Sequence, residues 1–244
     1  MFNIDRRVIY IIIAVMATIT IGQYAQNPEQ LVALLLTIPG VLIAITFHEF
    51  AHAIMAYKLG DDTPKNQGRI SLNPLTHIDL VGFFMLIFAH IGWGKPVEIN
   101  PVNFNRKRSM SAQEAIVALA GPAMNIIISL VLMIILFTIN KFFGSFILTK
   151  AGVLIEIAIH MAIVVNIGLG VFNLIPLPPL DGSKILKHFL PYKAQNWLQQ
   201  NQHIFYMIFI VMWVTPLMGY VISPVINVIY NGMYKLVSII FSFF

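Results

Sequence analysis

Residues 46–52 read Thr46-Phe47-His48-Glu49-Phe50-Ala51-His52, an HExxH pattern set inside an apolar run from about 31 to 57. On a helix, residues four apart share one face, so His48 and His52 can offer two imidazoles to one metal while Glu49 stands beside them as a base. That is the ligand logic of a zinc hydrolase. The run is also long enough to span a bilayer, and an ionisable group at that depth costs roughly 2.5–3.5 kcal/mol on insertion scales, which marks the pattern as functional. The plainer alternatives are two buried, hydrogen-bonded histidines or an accidental match.

Composition points the same way as the run. The 244 residues are 58% hydrophobic and 10% charged, against about 25% charged in a soluble domain, so the chain reads as an integral membrane protein seated in a lipid bilayer. The formal charge of +5 comes with no basic cluster longer than Arg106-Lys107-Arg108. Basic residues spread between apolar segments are topology signals, and nucleic acid is not an expected partner. With no cysteine, any metal must be held by histidine, carboxylate or water.

Working outward, segments suited to spanning lie at about 8–26, 31–57, 113–140 and 151–172, with an apolar tail at 203–244 interrupted by Pro216, Gly219 and Pro224. The tail reads either as two short spans or as one span and an interfacial helix. Arg6 and Arg7 before the first segment resemble a signal sequence, but Tyr24-Ala25-Gln26 is a poor cleavage site, so a retained span is expected. Twelve Lys and Arg fall before the first span and in 58–112 and 173–202, against Lys141 and Lys150 in the opposite loops. This predicts a cytoplasmic N-terminus. His52 and His48 then sit roughly 9 and 15 Å below the cytoplasmic end of their helix, marked by Lys58.

The stretch from Lys58 to Ser111 holds too many Pro, Gly and Asn to be helical throughout. Its apolar part, 80–91, is twelve residues long, too short to cross as a helix and flanked by basic residues on both sides, which predicts a re-entrant segment. Residues 68–73 and 97–100 alternate in polarity like short strands, stopped by Pro74 and Pro101. Such irregular backbone is expected to cover or gate the metal site; the alternative is an ordinary loop with one buried apolar patch. The resulting fold class is an all-α polytopic membrane protein of about five to six transmembrane helices. A short β/re-entrant segment separates its HExxH helix from the next span, and residues 1–244 form one domain with a core at about 31–190.

A catalytic zinc usually takes three protein ligands. The candidate third is Asp181, in Asn173-Leu174-Ile175-Pro176-Leu177-Pro178-Pro179-Leu180-Asp181-Gly182, where three prolines stiffen the chain and can aim a carboxylate. Asp181 can equally be an N-cap for a short helix. Gly121 and Asn125, one turn apart, read as close helix packing with one interhelical hydrogen bond. Glu156 and His160 read as a polar pair within a span, with a second metal or proton relay as the alternative. His77, His90, His188 and His203 show no ligand spacing.

Together, His48 to His52, Ala120-Gly121-Pro122-Ala123-Met124-Asn125, and Asn173 through Gly182 resemble, in order and spacing, the three signatures of the site-2 proteases, which are intramembrane zinc metalloproteases. The chain is similar to compact members, having no PDZ-sized insertion. The resemblance implies one zinc per chain on His48, His52 and Asp181, with Glu49 as general base and Asn173 holding substrate or the oxyanion. It also implies single-span membrane proteins as substrates, cut near the cytoplasmic side of what is expected to be the plasma membrane. The rival readings are a catalytically idle relative that binds membrane clients and a zinc or proton transporter. A transporter needs polar residues across the full thickness and usually a repeat, and neither is visible.

Overall fold

The computed structural model describes residues 14–15, 17–20, 22, 24–89 and 94–243. About half of the first expected span, 8–26, falls outside them, and its described residues are helical. His90 lies outside them as well.

The HExxH run forms α1, Pro28–Lys58, opened by Pro28, which needs no intrahelical N–H partner there. A short helix follows at α2, Leu80–Ala89. Two long helices come next: α3, Met110–Phe142, with Ser109 accepting from the Ala112 N–H, and α4, Lys150–Asn173, with Thr149 accepting from the Gly152 N–H. Helices α5, Asp181–Phe189, and α6, Tyr192–Gln200, are short. The tail divides into α7, Gln202–Val214, and α8, Leu217–Ser242. At about 1.5 Å per residue α7 is roughly 20 Å long, short of a roughly 30 Å hydrocarbon core, whereas α8 exceeds it.

Helices α1, α3 and α4 pack on one another, and α8 leans on the α3–α4 pair through Val237. The contacts of α1 are made by small residues, with Ala44, Ala51, Ala53 and Ala56 buried against α3 and α4. Lipid gives no hydrophobic drive between helices, so close backbone approach and interhelical hydrogen bonds must hold them. The opposite faces carry exposed Ile127, Val131 and Ile135 on α3 and Leu154 and Ile155 on α4. A soluble protein would not tolerate that apolar surface, and a membrane requires it. Four described helices are long and apolar enough to cross, and the chain is an all-α polytopic membrane protein.

The expected strands do not form: among the described residues there is no sheet, only one antiparallel bridge between Ile78 and Gly94. The alternation at 68–73 and 97–100 has another cause. Backbone groups there pair with side chains and turns: Arg69 donates to the carbonyls of Thr76 and Pro96, His77 Nε2 donates to Ser71 O at 2.8 Å, and the Asn100 N–H reaches Asp61 Oδ2 at 2.7 Å. These bonds occupy groups that a ladder would need. The Ile78–Gly94 bridge and the Lys95 N–H to His77 O bond, 2.7 Å, bring the two ends of the α2 segment side by side.

Candidate metal centre

Helix geometry stacks His48 and His52 one turn apart, both buried, with Nε2 atoms 3.0 Å from each other. Each ring is fixed by its other nitrogen. His52 Nδ1 lies 2.7 Å from the carbonyl of Val117, and a carbonyl only accepts, so Nδ1 carries the proton and Nε2 presents a lone pair. His48 Nδ1 lies 2.7 Å from Asn125 Oδ1. The oxygen end of that amide faces His48 because its nitrogen end donates to Ala44 O at 3.0 Å and Asn166 Oδ1 at 3.2 Å. His48 therefore also turns an unprotonated Nε2 inward.

Asp181 completes the cluster, its Oδ2 lying 3.2 Å from His48 Nε2 and 3.0 Å from His52 Nε2. It opens α5 without capping it: Leu180 is the cap residue and no side-chain cap bond forms. Lys184 Nζ stands 3.7 Å from the second carboxylate oxygen. The turn before Asp181 packs against Gly182, where a Cβ would lie 2.3 Å from Leu174 O, so only glycine lets the helix start against that carbonyl. Gly121 matters more directly. A Cβ there would lie 2.4 Å from His52 Nε2 and 2.7 Å from His48 Cε1, so the glycine is the clearance α3 leaves for the imidazoles.

Two nitrogen lone pairs and a carboxylate oxygen that converge in a buried pocket repel one another unless a cation sits among them. The three ligand atoms lie within 4.8 Å of one another. Two imidazoles and one carboxylate form a donor set of catalytic zinc, with a further position left for a small molecule. The residues present therefore fit a metal.

The cluster floors a cavity of about 810 Å³ whose walls include Ile45, Phe172 and Phe209. Glu49 lines it, its Oε2 accepting the Val97 N–H at 2.9 Å, and so does Asn173, whose amide nitrogen donates back to Leu169 O at 3.0 Å. All five residues singled out from the sequence thus border one space. Glu156 and His160 do not join them: Glu156 accepts from Asn140 at 3.4 Å and the His160 ring meets Tyr230. His77 and His188 likewise stand apart, on Ser71 O and Ser111 Oγ.

The family model for Peptidase family M50 matches residues 143–216, the stretch that carries Asn173 and Asp181. "Putative zinc metalloprotease YwhC" of Bacillus subtilis (strain 168) is 35% identical over 201 residues, 82% of this chain and 90% of that one. The chain belongs to peptidase family M50. "Putative zinc metalloprotease Rip2" of Mycolicibacterium smegmatis is 32% identical over 185 residues, 75% of this chain and 68% of that one. The protein of the same name from Mycobacterium tuberculosis is 28% identical over 184 residues. No solved structure matches. Membership of M50, the site-2 protease family, makes this chain a zinc metalloprotease.

Four residues of this M50 chain have roles that local sequence patterns do not reveal. Gly121 and Asn125 pack helices as their spacing predicts, Asn125 bonding across to Ala44 O and Asn166 Oδ1, and in addition they clear and orient the imidazoles. Asn166 was not singled out at all. Asp61, just beyond α1, was overlooked too: it is fully buried and receives the Thr63 hydroxyl at 2.6 Å, Asn103 Nδ2 at 3.0 Å and the Asn100 N–H. Burial pushes its carboxyl up, but the bonds from Thr63, Asn103 and Asn100 outweigh it and hold the group below the ordinary carboxylate range. The available signal was a lone Gly60-Asp61-Asp62 turn after the metal helix.

Proposed function

We propose that this protein is an intramembrane protease that hydrolyses peptide bonds of single-span membrane proteins near the cytoplasmic face. One observation carries the reading: two imidazoles from a membrane-length helix and a carboxylate from the short helix α5 converge on one point, with the Glu49 carboxylate beside them, in the lining of one cavity. His48, His52 and Asp181 hold one zinc per chain. Zinc, when bound, supplies a Lewis acid for the scissile carbonyl and makes water acidic enough to lose a proton near neutral pH. Glu49 takes that proton, its carboxylate steadied by the Val97 N–H. Asn173, at the end of α4 and on the cavity wall, has a second amide N–H with which to steady the oxyanion. The apolar walls exclude bulk water from the reacting carbonyl.

A substrate helix keeps its carbonyls hydrogen-bonded to itself, so a short length must unwind before it can be cut. The irregular chain between Lys58 and Ser111, including Pro96 and Val97 on the cavity wall, is where an extended length would lie. The basic loops support a cytoplasmic N-terminus and a site that opens to the cytoplasm of a cell-membrane protein.

The test is metal content together with cleavage. Glu49→Gln should keep its zinc by elemental analysis, lose hydrolysis, and retain uncut single-span clients on purification. His48→Ala, His52→Ala and Asp181→Ala should each lose most of the metal. Wild-type zinc content in Asp181→Ala would remove it from the ligand set, and residual hydrolysis by Glu49→Gln would remove the base.

A further inference from the structure

We propose that Asn166 is a positioning residue of the metal centre, fixing through Asn125 which nitrogen of His48 is offered to the metal. The inference rests on the reading of His48 as a metal ligand. Its ground is a run of hydrogen bonds whose direction is set at one end by a group that can only accept. Asn166, fully buried on α4, donates from Nδ2 to the carbonyl of Ala162 at 2.8 Å. Its Oδ1 must then face the other way, where it accepts from Asn125 Nδ2 at 3.2 Å. Asn125, fully buried on α3, must in turn face His48 with its oxygen, and accepts the Nδ1 proton at 2.7 Å. The run begins at a main-chain carbonyl on α4 and ends at an imidazole on α1, crossing all three core helices.

Reversing the Asn125 amide would show why the direction matters. Its oxygen would meet two acceptors, Ala44 O and Asn166 Oδ1, and its NH₂ would meet His48 Nδ1. An imidazole facing a donor on Nδ1 places its proton on Nε2, and a protonated Nε2 has no lone pair for a metal. Asn166 supplies one of the two acceptors that forbid this, and Ala44 O supplies the other. Removing Asn166 should therefore weaken the metal site without abolishing it. Outer-shell partners of ligating histidines typically contribute about 10–100-fold in metal affinity, and a residue one step further out belongs at the lower end.

A buried asparagine between two spans also has a packing role, and the experiment must separate the two. Threonine and valine have nearly the same shape. On a helix the threonine hydroxyl can donate to the carbonyl four residues back, here Ala162 O, while its oxygen accepts from Asn125. Valine can do neither. Full-length metal-stripped protein in detergent is titrated with cobalt(II) against a chelator, and the thermal midpoint of the metal-free form is recorded. Asn166→Thr should stay within about threefold of wild type, and Asn166→Val should bind about tenfold more weakly at a matching midpoint. Equal affinities for the two variants, whether high or low, would overturn the proposal, as would weaker binding by threonine. If valine prevents folding, Asn166→Ser against Asn166→Ala poses the same question. His48→Ala serves as the control: wild-type cobalt affinity there would mean that the ligand assignment itself had failed.

Discussion

The cage around His48 and the cover over it are built on opposite plans. In the cage, three long helices meet through small residues, and the polar groups that orient the two imidazoles are buried and directed: Ala162 O, Asn166, Asn125 and His48 in one run, Val117 O and His52 in another. In the cover, between Lys58 and Met110, regular structure is scarce and the chain is held by a few side chains that reach main-chain groups, chiefly Asp61, Arg69 and Glu49. The cage resists deformation because moving one ligand breaks several bonds at once. The cover depends on a few separate anchors, so its parts can release separately, as the proposed entry of an extended substrate requires. The contrast predicts which changes strike the metal and which strike only the substrate.

The largest effect belongs to the cage. Gly121→Ala removes no ligand and favours helix locally by about 1 kcal/mol, yet its methyl would stand 2.4 Å from His52 Nε2. The imidazoles must turn away. Zinc or cobalt affinity should fall by about 100-fold or more, as outer-shell disruption does at its upper end, and the thermal midpoint of the metal-free protein should fall too, because the buried partners the imidazoles leave behind, Val117 O and Asn125 Oδ1, cost about 1–3 kcal/mol each, more than the helix gain. Near-wild-type affinity would show that the cage yields as readily as the cover does.

Next comes the chief anchor of the cover. Asp61→Asn keeps the shape but turns an NH₂ towards some of the donors from Thr63, Asn100 and Asn103. Each mismatch at a buried charged acceptor is worth about 1.5–3 kcal/mol. Cleavage of a spanning substrate should drop about tenfold while zinc content stays at the wild-type level; loss of zinc would mean that cage and cover are one unit. The pH dependence has a definite sign. The folded carboxyl lies below its unfolded value, so its stabilisation is fully present above an unfolded pKa of about 3.9 and is lost as pH falls through the folded value. The stability difference between wild type and Asp61→Asn should be constant from neutrality down to about pH 5 and shrink below about pH 4.

Legibility divides along the same line. His48, Glu49 and His52 could be read because a four-residue spacing on a helix is a statement about a shared face; the prolines before Asp181 leave it equally a ligand or a helix cap, and only the resemblance to the site-2 proteases favours the ligand. The role of Gly121 and the existence of the Asn166 contact depend on the rotation of α3 and α4 about their axes relative to α1, which no local pattern encodes. Residues 68–73 and 97–100 misled because alternation in polarity arises wherever successive groups face a protein surface and solvent in turn. In this chain the surface is made of side-chain anchors and not of a neighbouring strand. Along the tail, Pro216 separates α7 from α8 because Thr215 before it is extended, whereas Pro224 is absorbed within α8.

The smallest expected effect tests whether anchoring in the cover depends on burial or merely on connecting two segments. Gln67 and Arg69 both tie the turn after α1 to the extended chain on the cavity wall: Gln67 Nε2 donates to Glu98 Oε2 at 2.7 Å, and Arg69 donates to Pro96 O at 2.8 Å. The two bonds are similar in length and join neighbouring residues, but Gln67 and Glu98 are in solvent while Arg69 is buried. Water replaces the partner of an exposed group at little loss, whereas losing the buried Arg69 guanidinium removes two part-buried bonds at once, to Thr76 O and Pro96 O. Gln67→Ala should therefore change the thermal midpoint and substrate cleavage by no more than the roughly 0.5 kcal/mol typical of surface substitutions. Arg69→Met, which keeps an apolar stem and removes the donors, should lower cleavage of a spanning substrate several-fold with zinc unchanged. Matching losses in the two variants would mean that the number of ties, and not their burial, holds the cover in place.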